Sequence, residues 1–405
     1  MSKPFSRREF LAILGSVSMA GCAEQTSSER YSQQDREQLL RQQRTEAIQT
    51  GRSRFGVQRY RGYRGLAELP WFELDKNGNL FCSDDSVPRA IDMHCHLGMS
   101  VLFEPELDLH SEKNRTRHLL DCDENDPGCE LDLDKYVNAN FTEESLKTLK
   151  STIRSQGLWG NDFSESQTLP NLLTEMDAMR VDKAAILPIK LGLWFGDNQT
   201  EHWREATDNP KYNSRLLSAF SVHPRDDNKV KQLKEHAASG NSNAIKLMKL
   251  HPTVQRFYPD DPSMMELYQE AEKQGVTIFF HGGRAGIEPE SSHPYALPRH
   301  YEAVFANFPN LKIIVGHAGA RDSDQMLKIA RNYHNVWLDI HGQSVTQLGK
   351  MIKTFGGERM IFGSDWPFYH LGASLAKVLI TTRNESKATR EAVLRDNAVY
   401  LIGNR

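Results

Sequence analysis

The sequence lacks the features that would indicate a polyanionic partner, and beyond its amino terminus it lacks a membrane-spanning segment. It has five cysteines in 405 residues, and 50 basic residues nearly balance 53 acidic ones, for a formal net charge of −3. A balance this even gives no indication of nucleic acid as a partner. Beyond the amino terminus, no apolar run reaches the roughly 20 residues of a membrane span, and no repeat of solenoid length occurs. The composition is that of an ordinary globular protein, long enough for a large single domain with extensions.

The first residues have the composition of an export signal. The pair Arg7-Arg8 precedes a short apolar stretch that ends at Cys22, and this stretch is too short to span a membrane. The twin arginine resembles a Tat signal. Small residues before Cys22 resemble a lipobox, although Met19 stands where leucine is usual, so cleavage by an ordinary signal peptidase stays open. We predict that residues 1–22 are a bacterial Tat signal, with lipidation at Cys22 holding the protein at the periplasmic face of a membrane by a lipid anchor only.

Composition divides the rest of the chain into three parts. Residues 23–54 are polar with few apolar anchors, which predicts a tether, partly helical from Gln34 onward. Residues 55–88 are rich in aromatic residues and glycine, which predicts a small amino-terminal extension. We expect residues 89–405 to form the main domain.

Two cysteines flank an acidic turn. Cys122 and Cys129 enclose a stretch that contains Pro127-Gly128, a common turn signal. In an oxidising periplasm these two cysteines are expected to close a small loop, although a pairing of either one with Cys82 stays open.

The main domain alternates between short apolar runs and helix-like stretches. The runs are rich in β-branched residues and cover residues 89–96, 181–189, 216–224, 243–252, 276–283, 311–319, 335–342 and 360–368. Between them lie amphipathic stretches, one of which is closed by Gly275. Alternation with continuously apolar strands indicates a parallel sheet covered by helices. Eight such units predict a (β/α)8 TIM barrel; a doubly wound sheet would also alternate, but no glycine-rich phosphate loop follows the first strand.

The largest departure from a minimal barrel is an insertion at residues 97–180, between the first and second strands. A connection of this length is usually functional, as a lid or a substrate-binding segment. A decorative surface insertion is the alternative.

Polar side chains collect at the carboxyl ends of the predicted strands. His94 and His96 are two residues apart, so in a strand both imidazoles point to one face. Further polar residues follow the later strands, namely His223, Arg225, Lys249, His251, His281, His317 and Asp365. Any one of them could be structural, but catalytic residues of barrels gather at this end. Together they predict an active site.

The motifs DMHCHLG, KLHPTVQRFYPDDP, FFHGG, VGHAG and FGSDWPF, in this order, resemble the amidohydrolase superfamily, and specifically its aminocarboxymuconate semialdehyde decarboxylase-like branch. The resemblance runs from about Arg89 to the carboxyl terminus. It implies that one divalent metal, usually Zn²⁺, is held by a set of four residues, which are His94, His96, His281 and Asp365. Related sites also take manganese, iron or cobalt.

The resemblance also implies roles for the catalytic residues. Asp365 would accept the proton of a metal-activated water, and His317 would stand beside that water and stabilise developing charge. Some superfamily members carry a carboxylated lysine on the fourth strand. Lys249 matches that position, although in this branch such a lysine more often binds substrate; Lys246 is expected to lie outside the barrel.

Cations near the strand ends would suit a carboxylate-bearing substrate. We expect a set of substrate-binding residues that consists of Lys249, His251, Arg225, Arg284 and Trp366. The residues do not determine the oligomeric state, and a homodimer stays open.

Three functions remain at this stage. The first expectation is a metal-dependent hydrolase of an amide, lactone or ester, because an exported enzyme meets small molecules before their uptake. The alternative is a metal-dependent, non-oxidative decarboxylase of an aromatic or unsaturated acid. A binding protein without catalysis would be expected to lack a ligand, and none is missing.

Overall fold

The computed structural model describes residues 30–99, 107–119, 130–147, 150–151, 162–193 and 197–403. Its centre is a sheet of eight parallel strands in sequential order. These strands are β1 (Ala90–Cys95), β2 (Val181–Ile186), β3 (Leu216–Ser221), β4 (Ala244–Leu250), β5 (Thr277–Phe280), β6 (Ile313–Val315), β7 (Val336–Asp339) and β8 (Met360–Ile361). Each strand lies within one of the eight predicted runs, so the predicted strands are confirmed.

The sheet curls until its first strand meets its last. The Met93 N–H donates to the Phe362 carbonyl at 3.0 Å, and the His96 N–H donates to the Trp366 carbonyl at 2.6 Å. These bonds join β1 to the segment that continues β8. The sheet is therefore nearly closed and consistent with the predicted TIM barrel.

Alternate residues of the strands belong to two apolar clusters. Those of one parity, such as Leu217 and Leu247, fill the barrel, whereas those of the other, such as Met248 and Phe280, pack against the surrounding helices. This alternation follows from the period of two in a strand. It places Lys249 on the interior face, two residues beyond Leu247. Lys246 is exposed and outside, as predicted.

Helices follow the strands around the barrel. They are Gln199–Thr207, Lys229–Ala237, Met265–Gln274, Arg299–Asn307, Ser323–Ala330, Val345–Phe355 and Leu371–Thr381, with Leu169–Ala178 before β2. Shorter helices and turns are Arg64–Glu68, Val137–Asn140, Asp162–Ser166, Pro252–Gln255, Pro262–Met264, Glu290–Ala296, Gly316–Gly319, Lys387–Glu391, Ala392–Asp396 and Asn397–Ile402. The predicted stop at Gly275 is confirmed: this residue ends its helix with φ +65°, a conformation that glycine adopts without strain.

The amino-terminal helix α1 (Gln33–Gln49) packs on the barrel. Ser32 and Asp35 form a capping box at its start, which satisfies N–H groups that the helix leaves unpaired. Asp35 and Glu46 are buried in ion pairs with arginines of the barrel domain. The predicted helical part of the 23–54 segment, from Gln34 onward, corresponds to α1, and these ion pairs fix α1 to the barrel. Cys22 and the signal lie outside the described residues.

The amino-terminal extension joins the insertion through a short sheet. Arg59–Arg61 pairs antiparallel with Glu130–Asp132, and Phe72–Leu74 forms a hairpin with Leu80–Cys82. Cys82 and Cys95 are buried free thiols. Cys122 and Cys129 lie outside the described residues. Within those residues, no helix combines the length and apolarity needed to cross a membrane.

Candidate active site

A cavity of about 210 Å³ opens at the carboxyl ends of the barrel strands. Its described lining is mostly apolar or imidazole, and consists of His94, His96, Leu97, Met99, Leu119, Tyr136, Val137, Asn138, Ile189, Gln199, Trp203, Lys249, His251, Val254, His281, Ala285, Ile287, His317, His341, Asp365, Phe368 and Tyr369. The strand ends supply the polar groups at the bottom of the cavity. The site thus lies where barrel enzymes place their catalytic residues.

The insertion forms part of the cavity wall. Leu119 and Tyr136 line the cavity, and Asn138 accepts a hydrogen bond from the Tyr369 hydroxyl. His118 Nδ1 lies 2.7 Å from the Pro367 carbonyl oxygen, so this nitrogen must be the donor. These contacts fix described segments of the insertion to the end of β8, which agrees with a role at the cavity mouth.

His94 and His96 have their outer ring nitrogens occupied and their inner ones turned toward the same carboxylate. His94 Nδ1 donates to Asp339 Oδ2 at 2.8 Å, and His96 Nδ1 donates to the Leu187 carbonyl at 2.7 Å. Their Nε2 atoms lie 3.4 and 3.3 Å from Asp365 Oδ1. Fixing the tautomer through the outer nitrogen is the usual way to present a metal-ligating lone pair. One ligand atom each from His94, His96 and Asp365 lies within 4.8 Å of the others.

Asp339, at the end of β7, organises three of the histidines. Besides the His94 ring, it accepts the backbone N–H groups of His317 and His341 at 2.9 and 3.0 Å. Its side chain is fully buried, and burial raises the pKa of Asp339 to about 7, against the opposing effect of these hydrogen bonds. The sequence motifs did not indicate Asp339 as a partner of His94.

His341 was also missed. Its Nε2 lies 3.5 Å from Asp365 Oδ2, and one ligand atom each from His317, His341 and Asp365 lies within 4.8 Å of the others. The signal was present in the sequence, because Asp339 and His341 have the same i, i+2 spacing at a strand end as His94 and His96.

His281 lies beside the metal-binding groups. Its ring stacks on His251 with centroids 3.9 Å apart, and its Nδ1 lies 3.1 Å from His317 Nε2. Burial, together with the nearby His251 and Lys249, holds the pKa of His281 well below its usual value. The ring is therefore neutral and able to act as a ligand. Its nitrogens, however, do not lie within 4.8 Å of all three ligand atoms of His94, His96 and Asp365.

Lys249 is the one lysine or arginine among the described lining residues. Its Nζ lies 3.4 Å from His94 Nε2 and 4.3 Å from the centroid of the Phe279 ring. Burial lowers the pKa of Lys249 to about 8, against the opposing effect of Asp365 and Asp339. At neutral pH an ammonium group is thus available at the bottom of the cavity.

The structure does not bring three of the predicted substrate-binding residues to the cavity lining. Arg284 is buried in an ion pair with Asp322, at 2.9 Å. Trp366 is fully buried, and its indole N–H donates to Glu175. Arg225 donates to the Arg256 carbonyl near the surface. Adjacency to a strand end in sequence was a poor guide here because neighbouring carboxylates and carbonyls bind these side chains elsewhere.

Two of the site residues have backbone conformations that are uncommon outside glycine. His317 has φ +53° and Asp365 has φ +58°. Such conformations cost free energy and are often found where function requires a particular side-chain direction. Here they turn His317 and Asp365 into the cavity.

A model of the amidohydrolase family matches residues 91–403. Among curated proteins, a 2-amino-3-carboxymuconate-6-semialdehyde decarboxylase of Dictyostelium discoideum is 24% identical over 179 residues, which are 36% of this chain and 49% of that protein. The chain thus matches about half the length of this relative.

Solved structures share the fold. An uncharacterised TIM-barrel protein of Bordetella bronchiseptica has a TM-score of 0.55 at 17% identity, covering 78% of this chain and 98% of that one. The 5-carboxyvanillate decarboxylase of Sphingomonas paucimobilis has a TM-score of 0.52 at 15% identity, with the same coverage. A 5-carboxyvanillate decarboxylase of Novosphingobium aromaticivorans, complexed with manganese, has a TM-score of 0.51 at 14% identity, covering 78% and 96%.

The family match covers the barrel, and its residue range contains the HxH pair, the strand-end histidines and Asp365. The predicted resemblance is confirmed, and the chain belongs to the amidohydrolase family.

Proposed function

We propose that this protein is a metal-dependent decarboxylase that removes carbon dioxide from a small aromatic or unsaturated acid. The observation that carries the proposal is the cavity itself, in which one buried lysine lies beside a metal-binding group and apolar side chains form much of the remaining wall. Such a site attracts a carboxylate and then surrounds it with few water molecules.

Hydrolysis, the first expectation from the sequence, is wrong. The relatives described above whose names state a reaction are decarboxylases, one acting on a carboxymuconate semialdehyde and two on 5-carboxyvanillate. They favour the alternative of the sequence analysis. A decarboxylase also has no need for space beside the substrate for an attacking water.

The size and charge of the cavity limit the substrate. An apolar cavity of about 150 Å³ accommodates benzene, so a cavity of about 210 Å³ suits a single ring, or a conjugated chain of similar size, with a few substituents. The Lys249 ammonium would bind a carboxylate by a charge-assisted hydrogen bond. The rings of Tyr369 and Phe368 offer apolar surface for the rest of the molecule.

The residues present fit a divalent cation. His94 and His96 present fixed lone pairs toward Asp365, and we propose that these three, with His281 as the fourth ligand, hold one ion, Zn²⁺ or Mn²⁺. When bound, such an ion would polarise the oxygens of the acid by Lewis-acid chemistry.

The remaining work falls to the side chains of this chain. Decarboxylation breaks the bond between the carboxylate carbon and the substrate, leaves the electron pair on the substrate carbon, and places one proton there. It needs no oxidant. His317 and Asp365 are the groups positioned to hold that proton, since both face the cavity. Leu97 and Ile189 exclude water, which raises the free energy of the bound carboxylate relative to the neutral carbon dioxide.

Location and assembly are separate parts of the proposal. The Arg7-Arg8 pair and Cys22 support export by Tat and a lipid anchor at the periplasmic face. Contacts of the insertion with the end of β8 support a lid made by residues 97–180. The substrate that we propose is a small molecule, and a homodimer is the assembly to test in solution.

The proposal is tested by a product assay on metal-reconstituted protein. A panel of hydroxybenzoates, vanillate-type acids and unsaturated dicarboxylates is assayed for carbon dioxide release, alongside lactones and amides assayed for acid release. We expect carbon dioxide from at least one acid and proton incorporation at the vacated carbon, visible as deuterium in deuterated water. Turnover of lactones or amides with no carbon dioxide from any acid would contradict it. His94→Ala serves as the control for metal dependence.

A further inference from the structure

His341 is buried at the cavity without a hydrogen-bonding role among the described residues. Its side chain lines the cavity, and neither ring nitrogen has a hydrogen-bond partner in that part of the chain. Buried polar atoms in native proteins are nearly always paired. The ring instead packs against Tyr369, with centroids 4.9 Å apart. This contact holds the ring in place and leaves both nitrogens available to a ligand.

The carboxylate of Asp365 faces two different sets of histidines. Its Oδ1 lies 3.3 Å from His96 Nε2 and 3.4 Å from His94 Nε2, whereas its Oδ2 lies 3.5 Å from His341 Nε2. The two oxygens therefore point to two separate positions in the cavity. The first of these positions is the metal site proposed above.

His317 completes the second position. Its ring centroid lies 5.2 Å from that of His341, and its Nδ1 is buried without a hydrogen-bond partner among the described residues. One ligand atom each from His317, His341 and Asp365 lies within 4.8 Å of the others. Three ligand atoms at such separations can reach a common cation after small side-chain rotations.

We infer that His317, His341 and Asp365 form a second, weaker site for a divalent transition-metal cation. Two imidazoles and a carboxylate suit Zn²⁺ or Co²⁺ and suit Mg²⁺ or Ca²⁺ poorly. A carboxylate shared between two cations resembles the arrangement in two-metal sites, where the ions stand about 3.5–4 Å apart. The second ion binds more weakly because it has fewer protein ligands and is repelled by the first.

Occupancy of this second site would inhibit the enzyme. This consequence rests on the proposed function, in which His317 holds the proton that returns to the substrate carbon. A cation bound to the His317 ring takes the lone pair that proton transfer requires. The chain would therefore be active with its first ion and lose activity as free metal rises.

The test is a metal titration of the purified full-length protein. After removal of metal by a chelator, Zn²⁺ or Co²⁺ is added in equilibrium dialysis, and bound metal is measured by elemental analysis. We expect about one equivalent at low free metal and about two at higher free metal. His341→Asn should bind only the first. His334→Asn, which changes an exposed histidine, is the matched control and should still bind two. With Co²⁺, the second equivalent should add a visible absorption band that His341→Asn lacks.

Two results would overturn the inference. Wild-type protein that saturates at one equivalent has no second site, and a His341→Asn variant that still binds two does not use His341. Thermal unfolding is recorded alongside; if His341→Asn fails to fold, His341→Phe keeps the contact with Tyr369 and removes both nitrogens. Two equivalents in a protein without decarboxylase activity would refute the proposed function and support the site. Inhibition by excess metal, measured against each variant's own rate, should disappear in the His341 variant.

Discussion

Two buried polar regions of this protein differ in how their charges are balanced. Where α1 meets the barrel, each buried charge has an opposite partner: Arg284 pairs with Asp322, and Arg321 pairs with Glu46. At the cavity, Lys249 contacts a histidine nitrogen and an aromatic ring rather than a carboxylate. His341 has no hydrogen-bond partner among the described residues.

The difference separates a structural region from a functional one. Paired and hydrogen-bonded charges hold one chain segment against another, and removing one partner leaves the other buried and unpaired. Unpaired polar groups in a cavity cost stability unless a ligand completes them. The junction therefore already has its partners within the chain, whereas under the proposed function the polar groups of the cavity are completed by a bound cation and a substrate.

The largest expected effect comes from removing a metal ligand. His96→Ala should lose the bound metal and lower kcat/KM by at least about 1,000-fold, or about 4 kcal/mol of transition-state stabilisation, because it removes one of the two imidazoles whose lone pairs are fixed toward Asp365 and leaves three of the four proposed ligands. Metal analysis and carbon dioxide release measure the two effects. A His96→Ala variant that retains one metal equivalent would move the site away from the HxH pair.

The next effect is on stability alone. Asp322→Ala should lower the free energy of unfolding by about 3–5 kcal/mol, because Arg284 would remain buried without its partner. Denaturant unfolding measures it. Asp324→Ala removes an exposed pairing with Lys350 and should cost less than about 1 kcal/mol. Equal losses of unfolding free energy in the two variants would show that the buried pair contributes no more than an exposed one. The metal content per folded chain should be unchanged in both variants.

Removing the Lys249 ammonium group should have the opposite effect: a loss of activity without a loss of stability. Lys249→Met should lower kcat/KM by about 100-fold, which is about 2.7 kcal/mol, while leaving stability unchanged or higher because a buried charge is removed. Lys246→Met, an exposed change on the same strand, is the control and should behave as wild type. If Lys249→Met destabilised the fold and kept full activity, the cavity would belong with the junction as a structural region.

The smallest effect concerns acid stability at the start of α1. Burial opposes ionisation of Asp35, but hydrogen bonds from Arg299 and Ser32 prevail and lower the pKa of Asp35 to about 2. A pKa lower in the folded chain stabilises it above the unfolded value near 4, and this contribution is lost as pH falls toward 2. Asp35→Asn should therefore lower Tm by a few degrees at pH 6 and by less at pH 2–3. A Tm difference that is independent of pH would assign the role of Asp35 to neutral hydrogen bonds.

The main features of the fold could be predicted from the sequence because each depends on local pattern. Continuous apolar runs such as that around Ile313 and the helix end at Gly275 follow from residue type and spacing. The packing of helix α1 on the barrel could not be predicted in this way, since its polar composition predicts a tether. Its packing depends on contacts with the barrel, among them those with arginines some 250 positions away in sequence.

The sequence by itself determined that a barrel would form and that imidazoles and a carboxylate would meet at its carboxyl end, because parallel strands end at one edge. Only the tertiary structure decided which side chains face the cavity. Arg284 and Trp366 stand near strand ends in sequence, as Lys249 does. In the structure, however, Arg284 pairs with Asp322 and Trp366 donates a hydrogen bond to Glu175, so neither side chain lines the cavity. Asp339 and His341 take their places around Asp365 because closure of the barrel brings β7 beside β8 and β8 beside β1. Residue spacing along the chain indicates which side chains share a strand end, as for Asp339 and His341, but the partners that each side chain meets depend on contacts across the fold.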